Sequence, residues 1–165
     1  MDQRDLDRAL ARLTTGIYVL TVSEGEAAHG MSSSWVTQVS GSPPLIALAV
    51  DVTHRTHAAL VTSGRFVLNV VGRRSKHLED YFYSPAARSD DNLRPIAHHP
   101  GPDGCPILDD ALAWLACRVS ARYPAGDHSL FVAEVDAAAV VAPDDEPISS
   151  ADLPYVYVGK LVPRR

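Results

Sequence analysis

Apolar residues recur at Leu6, Ala9, Leu10 and Leu13, the three- and four-residue spacing of one helical face. Residues 2–13 are therefore predicted to form a short amphipathic helix, with Asp2 or Asp5 placed to cap it and Gly16 to stop it. From Ile17 the spacing changes. IYVLTV (17–22) is β-branched and aromatic and ends at Ser23-Glu24-Gly25-Glu26, a hairpin-like turn that predicts a returning strand over about 28–39. LIALAV (45–50) reads as a buried strand, and Pro43-Pro44 before it cannot sit in a central ladder. Thr53 is placed to cap a helix through Leu60 that stops near Ser63-Gly64, and FVLNVV (66–71) is another strand. Residues 75–82 give a second short helix. Residues 84–106, with Pro85, Pro95, Pro100, Pro102 and Pro106, read as a long loop, and loops of that length are uncommon unless they serve a function. Two long strands are predicted over 111–123 and 129–141, joined across residues 124–128, and YVYVG (155–159) closes the pattern.

Strands on short connections with about three peripheral helices predict a mainly β chain, an antiparallel barrel in one domain spanning 1–165. Neither a βαβ alternation nor GxGxxG is present, so a nicotinamide nucleotide would not be held by a Rossmann turn. Twenty acidic against fifteen basic residues give a net charge of −5, which argues against a nucleic-acid partner. No run approaches a membrane span, and the charged start MDQRDLDRAL lacks the apolar core of a signal peptide, so a cytoplasmic protein is expected. Cys105 and Cys117 do not form a CxxC pair, and they read as a loop cysteine and a core cysteine.

Candidate chemistry begins in HGMSSSWVTQVS (29–40), where three serines and a tryptophan occupy an extended segment. Small side chains let a flat ligand approach the backbone, and hydroxyls both donate and accept. An ordinary edge strand with solvated serines explains the same residues. Next comes DVTHRTH (51–57), which opens a helix after a buried strand. Its free N–H groups, Thr53, Thr56 and the Arg55 cation together suit a phosphate, although a plain capped helix fits them too. His54 and His57 lack the further ligands that a metal needs. Trp114 is expected in the core and His98-His99 in solvent. Asp127 is expected to shape its turn, and Asn69, inside an apolar strand, to support either the site or a neighbouring loop.

In order and spacing, GMSSSWVTQVSGSPP (30–44), THRTH (53–57), FVLNV (66–70) and the GDH turn (126–128) resemble the flavin reductase-like family of FMN-binding split barrels. TGIYVLT (15–21) fits the same pattern, and the resemblance covers roughly residues 6–160. It implies a homodimeric split barrel that binds FMN, or FAD, and takes hydride from NADH or NADPH. By that resemblance Met31, Ser32, Ser33 and Ser34 line the flavin ring, and Ser40, Thr53, Arg55 and Thr56 cover the ribityl chain and phosphate. His128 stands near the face where the nicotinamide docks, and Trp35 packs the barrel or dimer surface. A partner monooxygenase or electron-transfer protein is implied as the consumer of reduced flavin. Two other readings stay open at this point, an FMN-retaining electron carrier and a barrel that binds flavin without turning it over.

Overall fold

The computed structural model describes residues 2–164. Helix α1 (Gln3–Leu10) is capped by Asp2, whose carboxylate accepts the Arg4 N–H at 3.0 Å. No residue of α1 is buried, although Leu6 is half-buried and Asp7 pairs with Lys160 at 2.8 Å; Leu10 at its end and Leu13 beyond it are 38% and 64% exposed. Strands β1 (Tyr18–Glu24) and β2 (Ala27–Ser33) form the predicted hairpin, with Gly25 at φ 65° in the turn. The extended segment expected over 28–39 is in fact two strands. β2 stops at Ser33 and β3 (Val36–Gly41) begins after Ser34 and Trp35, then pairs with β4 (Pro44–Asp51). Pro44 pairs only with Gly41 at the hairpin end, and the ladder to the next strand starts at Leu45.

Helix α2 (Arg55–Ser63) ends at Gly64, which takes φ 65° as a left-handed C-cap. It leads into β5 (Arg65–Val70), α3 (Lys76–Phe82) and a 3-10 turn, Pro85–Arg88. The expected long loop is largely built: it carries this turn and a small hairpin of β6 (His98–Pro100) and β7 (Pro106–Leu108). The long hairpin β8 (Ala113–Ala125) and β9 (His128–Val140) turns at Gly126-Asp127. A short pair, β10 (Tyr155–Tyr157) and β11 (Leu161–Pro163), follows a second 3-10 turn, Ser150–Asp152.

Seven strands make one antiparallel sheet in the order β2-β1-β5-β8-β9-β4-β3. Strands consecutive in sequence, β2 and β3, thus end up at opposite edges. In a flat sheet those edges would lie about 29 Å apart, at about 4.8 Å per strand. The two residues joining them span roughly 11 Å at most. The sheet must therefore roll until its edges approach at Ser34-Trp35, although β2 and β3 are not paired and the ladder stays open.

Alternation along β1 and β5 fills both faces of this rolled sheet. Leu20, Val22, Phe66 and Leu68 point to one side, where Phe131 and the α2 residues Ala59 and Leu60 complete the main core. Val19 and Val67 point to the other side and are covered by Leu93 from residues 84–106 and by Ile107 and Leu108 of β7 just beyond them. Burial on both faces explains why these strands read as nearly continuous apolar runs. Asn69 supports that covering segment rather than the site. Its amide donates to the Val19 carbonyl and Thr21 Oγ1, both at 3.1 Å, and its side-chain oxygen accepts the Leu108 N–H at 2.9 Å. Trp114 packs half-buried against the same cluster, and both cysteines are buried and free. Burial pushes the Cys117 thiol up to about 12. Among the described residues no helix is long and apolar enough to cross a membrane, and no cluster of side chains is placed to hold a metal ion.

Candidate functional site

The corner where the sheet edges meet opens into a cavity of 520 Å³. Residues 30–34 form one wall, the β4–α2 junction another, and the stretch from Tyr83 to Asp90 a third. Trp35, His128 and Tyr157 close one end. Of the residues singled out in the sequence, Met31, Ser32, Ser33 and Ser34 lie on the lining, as do Thr53, Arg55 and His128. Ser40 and Thr56 do not. Ser40 follows a bulge on β3 beyond the lining, and Thr56 is fully buried on the inner side of the first turn of α2.

The aromatic end is built from three distant segments. Trp35 is pinned by its carbonyl, which accepts the Ala49 N–H at 3.0 Å, so its ring is set by the β3–β4 ladder. The indole lies 4.7 Å from the His128 ring and 5.1 Å from the Tyr157 ring, centre to centre. His128 opens β9 opposite Asp51 and is only 5% exposed. Its Nδ1 lies 2.6 Å from Asp127 Oδ1. A carboxylate only accepts, so Nδ1 carries a proton and donates it to Asp127. The Asp127 carbonyl accepts the Val52 N–H at 3.1 Å, so Asp127 both shapes the turn and orients the histidine.

The other end is charged. His54, not Thr53, caps α2: its Nδ1 accepts the Thr56 N–H at 3.3 Å. Thr53 is folded back instead, its N–H and hydroxyl both donating to Asp51 Oδ1, at 2.8 and 2.7 Å. These two bonds hold the Asp51 carboxyl below its ordinary range. They also occupy the donors that Thr53 would offer an anion. Arg55 lies between Glu24 and Asp90, at 2.6 and 3.1 Å. Arg88 is exposed at the lip. His29 is buried 5.9 Å from the His54 ring, and its Nδ1 has no partner in the chain. Burial, then the neighbouring His54 and Arg55, lowers its pKa to about 4, and burial lowers that of His54 as well. Both imidazoles are therefore neutral at neutral pH, leaving the arginines as the cations of this end.

Several of these residues escape a reading of the chain alone. Asn92 is buried and grips β2 from the covering segment: its amide donates to the Gly30 and Ala87 carbonyls at 2.7 and 3.0 Å, and its oxygen accepts the Gly30 N–H at 2.9 Å. Gly30 itself must be glycine, because a Cβ there would stand 2.5 Å from the Phe82 ring. Tyr83 and Tyr157 reach the cavity from α3 and β10. No local pattern marks these residues, since each depends on a contact far away in sequence. The buried state of His29 is equally non-local, although HGM stood at the head of the serine run.

Known proteins share this fold. The chain is 32% identical over 132 residues to the diflavin flavoprotein A 1 of Synechocystis sp., covering 79% of this chain and 23% of that protein. It spans about a quarter of the length of the diflavin flavoproteins it matches. Among solved structures, the styrene monooxygenase flavin reductase of Pseudomonas putida S12 superposes with a TM-score of 0.74 at 31% identity, over 86% of this chain and 89% of that one. The NADH:FAD oxidoreductase SgcE6 of Streptomyces globisporus gives 0.80 at 29%, over 90% and 88%. A model of the flavin reductase like domain matches residues 10–162, and the chain belongs to that family.

Proposed function

We propose that the chain is a flavin reductase that moves hydride from NADH or NADPH to FMN, with the rolled sheet acting as a split barrel. The observation that carries this reading is the composition of one cavity. A serine-lined strand edge, an arginine-bearing helix start and an aromatic end wall converge on 520 Å³, a volume suited to a flat heterocycle with an anionic tail. The residues fit a flavin on their own chemistry. Ser32 Oγ is shut from solvent beside the Tyr83 hydroxyl, and His29 Nδ1 is buried without a partner, so the lining holds polar atoms available to a ligand. When bound, the flavin supplies the hydride-accepting ring.

The chain supplies position and electrostatics. Ser32, Ser33 and Ser34, with the backbone between them, would meet the polar edge of the ring, and Met31 its apolar part. Arg55 would face the phosphate, while Thr53 serves by holding Asp51. His128, fixed by Asp127 and packed at a tilt against Trp35, would set the nicotinamide against the ring. Holding two reactants at about 3–3.5 Å can supply several kcal/mol of barrier lowering. The exposed lip at Arg88, Ser89 and Asp90 suits a flavin that enters and leaves, as delivery to a partner monooxygenase requires. The exposed Leu10 and Leu13 at and just beyond the end of α1 support a homodimer. Turnover is the test: with catalytic protein and excess FMN, oxidation of NADH or NADPH should run well above the rate without protein. No acceleration with either nucleotide would overturn the reading.

A further inference from the structure

Arg55 already has its donors committed. Nε and Nη2 both donate to Glu24 Oε2, at 2.8 and 2.6 Å. Nη1 donates to the Asp90 carbonyl and to Asp90 Oδ1, both at 3.1 Å. The two acidic partners differ in kind. Glu24 ends β1 and its side chain is 27% exposed, whereas the Asp90 side chain is fully exposed at 103%. A guanidinium grips a phosphate best through two parallel N–H groups on one edge. Glu24 takes the Nε–Nη2 edge from a half-buried position, which leaves the edge that includes Nη1, and Asp90 stands on it.

We infer that Asp90 is an exchangeable counter-ion, which the phosphate of a bound flavin mononucleotide displaces from Arg55 while Glu24 keeps the guanidinium aligned. The inference rests on the flavin reading above and adds a specificity residue to it. Exposed ion pairs are weak, so the exchange costs little. It still lowers the preference for a phosphorylated flavin and favours release. Asp90→Asn removes the competing charge and leaves the backbone contact to Nη1 in place.

The experiment is a pair of fluorescence titrations, FMN and riboflavin, on the wild type, Asp90→Asn and Arg55→Ala at one ionic strength. Riboflavin has the same ring and ribityl chain without the phosphate. Asp90→Asn should bind FMN about two- to fivefold more tightly, the size of an exposed ion pair, with riboflavin unchanged. Arg55→Ala should bind the two flavins about equally. If the wild type prefers FMN and Asp90→Asn leaves FMN affinity unchanged or weaker, Asp90 is no competitor and the inference fails while the flavin reading stands. If the wild type binds neither flavin, the flavin reading fails first and takes this inference with it.

Discussion

His128 is held from two sides, by the Asp127 carboxylate at Nδ1 and by the Trp35 ring, in a position only 5% exposed. A side chain so fixed acts by placing another group. His128→Ala is expected to slow flavin reduction about 10- to 100-fold, the cost of a reactant poorly placed, with FMN affinity nearly unchanged. Stopped-flow reduction beside an FMN titration checks this, and an unchanged reduction rate would remove the role. His29 makes a different prediction, about stability. Its pKa falls from 6.5 to about 4 in the folded chain, chiefly by burial, so below 6.5 the unfolded chain binds the proton more readily. Stability is therefore complete above pH 6.5 and is lost as pH falls toward 4, by on the order of 2–3 kcal/mol. Half-buried His54 acts in the same sense, and Glu79, raised by burial, acts in the opposite one. The informative quantity is thus the difference between proteins. Urea midpoints at pH 7 and pH 5 should separate less in His29→Gln than in the wild type, and an equal separation would contradict the burial argument.

The β2–β3 corner is the element on which the site depends, and it was only half legible in the chain. The serine run offers residues 29–40 as a candidate ligand edge or as a plain edge strand, and alternation alone continues them as a single strand. The break at Ser34-Trp35 follows from sheet order: the chain leaves one edge and joins the other, and no local residue pattern encodes that step. The start of α2 was similarly approximate. Thr53 is a good cap by type, yet Asp51 claims both its donors and His54 takes the capping position. Residues 84–106 read as a loop because prolines interrupt them, while their buried anchors Asn92, Leu93 and Cys105 are isolated in sequence. Asn92 tests how far that segment holds the corner. Its removal leaves the Gly30 N–H and C=O and the Ala87 C=O without their partner. Asn92→Ala should cost about 2–4 kcal/mol, as a lost set of buried hydrogen bonds does, read from denaturant unfolding. A cost below about 0.5 kcal/mol, typical of surface changes, would show that the corner holds without it.

For the whole molecule, the strand and helix periods were enough to give a mainly β architecture with small peripheral helices, because both faces of β1 and β5 are packed and their apolar runs are unbroken. The roll of the sheet was not readable from those periods. It comes from the strand order, which brings Ser34, Arg55 and His128 to one cavity from separate elements. Family membership and the cavity together carry the central claim of hydride transfer from a nicotinamide nucleotide to flavin. Anaerobic mixing of the protein and FMN with NADH, then NADPH, tests it most directly by following the bleaching of the flavin absorbance. The account predicts rapid bleaching at catalytic protein concentration with at least one of the two nucleotides. FMN bound to the protein but bleached no faster than free FMN would contradict it and point to a carrier or a passive flavin binder.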